Sequence, residues 1–428
     1  MSFFSNLHQK PILKILSLNS IHIFLKLVFG FITSNAIASY AGPVGMGLIG
    51  SFRSFLSLLE HIALLGFQNG IVTYLAPHPL GSAAYRKTVF TAGLVLFLSS
   101  LFVSFFCILG VDYLTHAVLH DQIFYRNIFY LLAILFPLYT GSSFLLALVN
   151  GLHYYKKIIQ IQLLASGISL GLSLWLIVSF TTLGALVSLI LVPVVLFFVL
   201  LLYCHRITLF NQVFSFQNFD FTLLKHFTSF ALMALVSGVV GSYVLLQIRN
   251  EMIDVEGLFE SGIYEGLQRI SSYYLIFISS ILSLYFLPKL AQHVSKEKQH
   301  ALVLDYVKHI IPLFGLGLVV LFFLRKEIIA LVFSPDFHSM ESLFFWQLLG
   351  DFLKAISLLF GYILIARKAT RLFLVTELFS LFILYLLTHH LLLEEGLLGV
   401  VKAHAITYFI YLLVMLLVYK KNTSKSLD

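Results

Sequence analysis

From Ile158 to Cys204 the chain carries no charged residue at all. A helix needs about 20 apolar residues to cross the hydrocarbon core of a bilayer. This stretch therefore holds two crossings, with Thr181-Thr182-Leu183-Gly184 as the tight turn between them. In lipid every backbone polar group must be satisfied within the chain, which leaves only helices and closed barrels as spanning structures. Runs this long and this apolar select helices. The same reading gives twelve spans in all, at 12–39, 45–75, 88–110, 128–150, 158–180, 184–204, 227–248, 263–287, 306–324, 342–365, 372–392 and 397–419. Charged residues make up 11% of the chain, against about 25% in soluble domains. The expected fold is an all-α polytopic membrane protein.

Ala36-Ile37-Ala38 matches a small-x-small cleavage pattern, but Lys26 interrupts the apolar run before it and eleven further spans follow. An uncleaved first span is the expectation. Cys107 and Cys204 lie in apolar stretches without CxxC spacing, so they read as small hydrophobes and imply neither a disulfide nor a metal site. Nothing in the chain points to a cofactor. Pro137, Pro193 and Pro312 fall within spans and Pro288 ends one, each removing a backbone donor and able to bend its helix.

Orientation follows from the Lys and Arg residues of the connections. With the N-terminus in the cytoplasm, seventeen of them, from Lys10 and Lys14 to Lys425, fall on the cytoplasmic side. Four fall opposite: Arg126, Arg249, Arg325 and Lys326. The opposite loops are acidic, notably the Glu251/Asp254/Glu256/Glu260 stretch, Asp336, Glu341, Glu394 and Glu395. An even number of spans returns the C-terminus to the cytoplasm. The net charge of +8 is thus a topology signal, and its spread over separate segments argues against a nucleic-acid partner. The longest connection, with Asn211-Gln212-Val213-Phe214-Ser215-Phe216-Gln217, divides the spans six and six. It implies an N-terminal lobe over 1–210, a cytoplasmic linker over 211–226 and a C-terminal lobe over 227–428. No loop is large enough for an extramembrane catalytic domain.

Eight charged residues fall inside spans: Lys26, Arg53, Glu60, Arg269, Asp351, Lys354, Glu377 and Lys402. A charge at bilayer depth costs at least about 2.5–3.5 kcal/mol, so such groups face a water-filled cavity or a partner. Arg53 and Glu60 are seven residues apart and share a helix face. Asp351 and Lys354 stand at i,i+3 and can pair directly. Lys26 is nearly central in its span and is the best candidate for a cavity cation. Arg269 and Lys402 lie near span ends, where headgroup anchoring competes, and Glu377 lies near Arg371 at an interface. His61 beside Glu60 invites a proton relay. Five cations against three anions match an anionic substrate, and both Lys and Arg serve phosphate oxygens. Lys26, Arg53, Arg269, Lys354 and Lys402 are therefore the substrate-binding candidates. Glu60, Asp351 and Glu377 are the coupling or ion-pair candidates.

Gly42-Pro43-Val44-Gly45-Met46-Gly47-Leu48-Ile49-Gly50-Ser51-Phe52-Arg53 resembles the start of the second helix of Wzx-type O-antigen and enterobacterial-common-antigen translocases. So does Phe345-Trp346-Gln347-Leu348-Leu349-Gly350-Asp351-Phe352-Leu353-Lys354, followed by Phe360-Gly361-Tyr362. Phe230 to Leu235 and Tyr285-Phe286-Leu287-Pro288-Lys289-Leu290 fit the same family. The resemblance implies the multidrug/oligosaccharidyl-lipid/polysaccharide exporter superfamily, with two six-helix lobes around a central cavity. It implies transfer of an undecaprenyl-diphosphate-linked oligosaccharide from the cytoplasmic to the periplasmic leaflet of the bacterial inner membrane. A polysaccharide polymerase and chain-length machinery are the implied protein partners. The alternatives are a drug or cation:proton antiporter of the same superfamily, which needs surplus acid in its cavity, and a membrane polymerase or ligase, which needs a catalytic periplasmic loop.

Overall fold

A computed structural model describes residues 11–206, 209–210, 213–292 and 296–424. Lys10, Lys425, Asn211 and Gln212 lie outside these, as do the side chains of Lys14, Lys296 and residues 230–234. Among the described residues the chain is helical apart from short connections. In chain order the helices are α1 (Pro11–Tyr40), α2 (Gly42–Leu64), α3 (Phe67–Leu75), α4 (Ala83–Leu109), α5 (Val111–Leu119), α6 (Ile128–Gly151) and α7 (Tyr155–Arg206). Then come α8 (Phe221–Ile281), α9 (Leu287–Gln292), α10 (Lys296–Asp305), α11 (Ile311–Phe323), α12 (Arg325–Val332), α13 (Phe344–Ala366), α14 (Thr370–Glu395) and α15 (Leu397–Ser424).

Two of these are helical hairpins. α7 leaves helical geometry at Thr181 (φ 49°) and α8 at Gly257 (φ 87°). A Cβ on Gly184 would fall on the carbonyl oxygen of Leu176, whereas eight residues of straight helix cover about 12 Å. Arg249 and Glu265 meet at 2.8 Å, although sixteen residues of straight helix cover about 24 Å. Both helices therefore double back. A positive φ suits glycine, which carries no Cβ to clash, and Gly257 supplies it. Nine segments are long and apolar enough to cross a membrane. Two are these hairpins, each long enough for two crossings, and the charge-bearing α2–α3 pair is not among the nine.

Chain division is into two compact units, one of 1–40 with 51–243 and one of 41–50 with 244–428. The first packs Ile71, Leu75, Tyr85, Leu148, Leu200, Cys204 and Phe227 into one core. The connection after Arg206 is folded onto this core: Leu209 and Val213 are buried, and the Tyr85 hydroxyl donates to the Leu209 carbonyl at 3.0 Å. The Asp220 N–H donates to Thr91 Oγ1 at 3.0 Å, and Lys87 Nζ pairs with Asp220 at 3.2 Å. The second unit centres on Leu282, Phe286, Tyr306, Leu359, Ile363 and Met415. Pro288 and Pro312 each follow a π turn, Leu282–Phe286 and Tyr306–Ile310. A proline lacks the N–H that an α-helical turn needs, and a wider turn accommodates the gap.

One boundary differs from expectation. The acidic Glu251/Asp254/Glu256/Glu260 stretch is helical, because α8 continues until Gly257 breaks it. Nothing before that glycine stops a helix, so its first arm outruns its apolar segment.

Candidate functional site

In the first unit, α1, α2, α6 and both arms of α7 enclose a cavity of about 270 Å³. His22 and Lys26 share a face of α1 at i,i+4, and Glu60 enters from α2. Tyr139, Ser142 and Ser143 come from α6, just beyond Pro137. Gln162, Ser166 and Ser169 form a polar stripe at i, i+4 and i+7 on the first arm of α7. Val192, Pro193 and Leu196 close the apolar side. The Tyr139 hydroxyl donates to Glu60 Oε2 at 3.3 Å and Ser143 Oγ to Oε1 at 3.2 Å. Both carboxylate oxygens are thereby occupied. Among the described residues nothing hydrogen-bonds or ion-pairs with Lys26. His61, next to Glu60, does not line this cavity. Neither does Arg53, half-buried seven residues before Glu60.

The second unit holds two charged clusters. In the first, Arg249 Nη2 meets Glu265 Oε2 at 2.8 Å and Arg269 Nε meets Oε1 at 3.0 Å. Glu265 is fully buried and each arginine is 6% exposed. Arg249 was expected among the extramembrane cations, but the helical continuation of α8 and its reversal at Gly257 bring it inside. Its Nε and Nη1 are buried without a hydrogen-bond partner. Charge of +2 against −1 leaves this cluster with a net positive charge. Its approach explains the glycine-rich start of α2: a Cβ on Gly50 would fall on the Arg249 guanidinium, and one on Gly47 would stand 2.5 Å from the Leu258 carbonyl oxygen.

The second cluster surrounds Asp351, which is fully buried. Ser271 Oγ donates at 2.6 Å, the Tyr274 hydroxyl at 2.5 Å and Gln347 Nε2 at 3.1 Å, all to Oδ2. His404 Nε2 lies 3.0 Å from Oδ1. Gln347 in turn accepts from Gln268 Nε2 at 3.2 Å. A Cβ on Gly350 would collide with the His404 ring. The Gln347/Gly350/Asp351 spacing thus has a physical basis: one turn of α13 supplies a donor, the carboxylate and the clearance for a histidine from α15. The direct Asp351–Lys354 pair gives way to these partners. Lys354 Nζ stands 5.1 Å from the centroid of the Tyr408 ring and within electrostatic range of Asp351 and Glu377. Lys402 pairs with Glu395, with the Trp346 ring 5.7 Å away.

No family model matches the chain. Over 397 residues it is 26% identical to the lipid III flippases of Escherichia coli (strain K12) and Shigella flexneri, covering 90% of this chain and 93% of each relative. The chain is thus similar in sequence to the lipid III flippases over most of its length. Its fold is that of solved transporters. An inward-facing MATE family multidrug resistance transporter of the MOP superfamily superposes with a TM-score of 0.76 at 14% identity, covering 93% of this chain and 96% of that one. Lipid II flippase MurJ, in an inward closed conformation, gives a TM-score of 0.67 at 17% identity, covering 94% and 87%. These relatives and structural neighbours are flippases and transporters rather than enzymes.

Sequence reasoning located Lys26, Glu60, Arg269 and Asp351 but missed most of what surrounds them. Glu265 stands four residues before Arg269 and its i,i+4 spacing was legible. The Gln162/Ser166/Ser169 stripe was also readable, as polar residues at helical period inside a charge-free span. Arg249 and His404 carried no local signal, since their partners lie 16 and 53 residues away.

Proposed function

We propose that this transporter moves a polyprenyl-diphosphate-linked oligosaccharide, an O-antigen or related surface-polysaccharide unit, from the cytoplasmic to the periplasmic leaflet. The setting is the bacterial inner membrane, with both termini in the cytoplasm and transfer by alternating access. The observation that carries the reading is the first unit's cavity. It sets a lysine that pairs with nothing among the described residues beside serine, tyrosine and glutamine side chains, within a chain similar in sequence to lipid III flippases. Sugars present many hydroxyls, which Ser142, Ser143, Gln162, Ser166 and Ser169 can match. A diphosphate presents anionic oxygens, which Lys26 can match as a mobile point charge. Glu60 is held by Tyr139 and Ser143, and Lys26 in the same cavity balances its charge, so the cavity lacks the surplus acid a cationic drug would need. The multidrug transporters share the fold at 14% identity, while the flippase relatives match in sequence.

Arg53, Arg269 and Lys354 are the further cations assigned to the diphosphate along its path. Lys402 is the weakest member of the set, since Glu395 engages it. Glu60, Asp351 and Glu377 are assigned to coupling. With an inside-negative potential, outward movement of about two negative charges is favoured by about 2.3 kcal/mol per charge per 100 mV. A polysaccharide polymerase and its chain-length machinery would receive the product. The test is complementation of a strain lacking its translocase: Lys26→Ala is expected to abolish it and Lys26→Arg to retain much of it, at equal membrane abundance. Full complementation by Lys26→Ala would refute the cavity assignment.

A further inference from the structure

The second unit contains an apolar groove of about 460 Å³ that the transport reading does not use. Its floor is Leu318, Leu348 and Gly315, and its walls are Val319, Phe345 and Phe352 with their neighbours on α11 and α13. Leu318 and Leu348 are buried, while Val319 and Phe345 are half exposed, so the groove is open along its outer side. A Cβ on Gly315 would stand 3.0 Å from the Phe352 ring, so glycine there keeps the floor deep. α13 turns its polar face, with Gln347 and Asp351, to the buried network and its apolar face to this groove.

At the end of α11 the groove meets Arg325. Its Nη1 donates to the Phe322 carbonyl at 2.7 Å and its Cζ lies 4.4 Å above the Phe322 ring. Phe322 is itself a groove residue. Arg325 Nε is buried without a partner, and among the described residues no carboxylate pairs with this arginine. The neighbouring acid Glu341 is taken by Lys326 at 3.7 Å and by His338 at 3.5 Å. A cation held by an aromatic ring at the end of an apolar trough complements a molecule with one anionic group and one hydrocarbon chain. A methylene occupies about as much space as a water molecule, roughly 30 Å³. The groove thus takes roughly fifteen methylenes, the size of one fatty-acyl chain. A long polyprenyl chain exceeds it several-fold.

We infer that this groove is a binding site for an anionic phospholipid of the surrounding bilayer, with one acyl chain along α11 and α13 and its phosphate on Arg325. The site is separate from the transport cavity and stands whether or not the substrate assignment holds. Native mass spectrometry of the purified full chain, titrated with phosphatidylglycerol or phosphatidylcholine of the same chains, tests it. The expected result is one phosphatidylglycerol retained with at least about fivefold preference. Arg325→Gln should remove the preference. Val319→Trp, at an exposed wall position and so harmless to folding, should lower binding of both lipids. Equal retention of the two lipids by the native chain would overturn the proposal. So would a preference unchanged in Arg325→Gln, or binding of both lipids unchanged in Val319→Trp. Displacement of phosphatidylglycerol by a polyprenyl phosphate at equal concentration would overturn the assigned occupant.

Discussion

Glu265→Gln offers a direct perturbation of the buried charge network. The carboxylate holds Arg249 at 2.8 Å and Arg269 at 3.0 Å, with all three side chains nearly or wholly buried. Two unit charges 4 Å apart interact by about 4 kcal/mol at an effective dielectric of 20. Desolvation of the three ions offsets part of that, and removing one partner of a buried pair typically costs about 3–5 kcal/mol. In a unit of about 200 residues each kcal/mol moves the melting temperature by about 2–4 °C. Glu265→Gln should therefore melt about 6–20 °C lower. Arg249→Met should behave differently, because it leaves a neutral Glu265–Arg269 pair and removes two unpartnered buried nitrogens. Its melting temperature should stay within about 4 °C of the native value. The assay is Trp346 fluorescence on heating in detergent, in a Trp175→Phe background so that the signal comes from the second unit. Equal losses in the two variants would refute the reasoning, as would a Glu265→Gln protein that melts normally.

Exchange of Asp351 and Lys354 should abolish transport and lower stability by several kcal/mol, because a lysine at 351 would face three donors and His404 with nothing to accept them; a functional swapped protein would contradict the network. Lys402→Ala should cost about 0–1 kcal/mol and leave complementation near normal, since its pair with Glu395 is partly exposed. The hydroxyl of Thr222 and then the Lys87 ammonium hold the Asp220 carboxyl at about 2, below its usual 3.8. The folded form is favoured by the charged carboxylate, so this contribution is present above about pH 4 and fades as pH falls toward 2. Limited proteolysis within 207–220 should be slow at neutral pH, faster near pH 2, and fast throughout in Asp220→Asn.

The span pattern was legible because hydrocarbon thickness imposes a length on every crossing, and Ile158 to Cys204 shows it without interruption. The individual charges were legible for the same reason, as each is costly at that depth. Their partners were not. The Arg249–Glu265 pair exists only because Gly257 reverses α8, and a glycine in an acidic helical stretch looks like an ordinary loop. Asp351 seemed matched to Lys354 because i,i+3 spacing is visible, while Ser271, Tyr274 and His404 reach it from other helices. The serine and glutamine lining of the cavity was hidden by its neutrality, since uncharged polar residues barely disturb a hydropathy scan.

The central claim is that Lys26 serves the anionic head of a lipid-linked oligosaccharide in the first unit's cavity. Its most direct test uses purified protein in liposomes with an inside-negative potential and a fluorescent polyprenyl-diphosphate oligosaccharide. Transfer is read as the fraction of headgroup that becomes accessible to an external quencher. The account predicts transfer by the native chain, retention in Lys26→Arg, and at least a tenfold slower rate in Lys26→Ala with an unchanged melting temperature. Native rates in Lys26→Ala would contradict it.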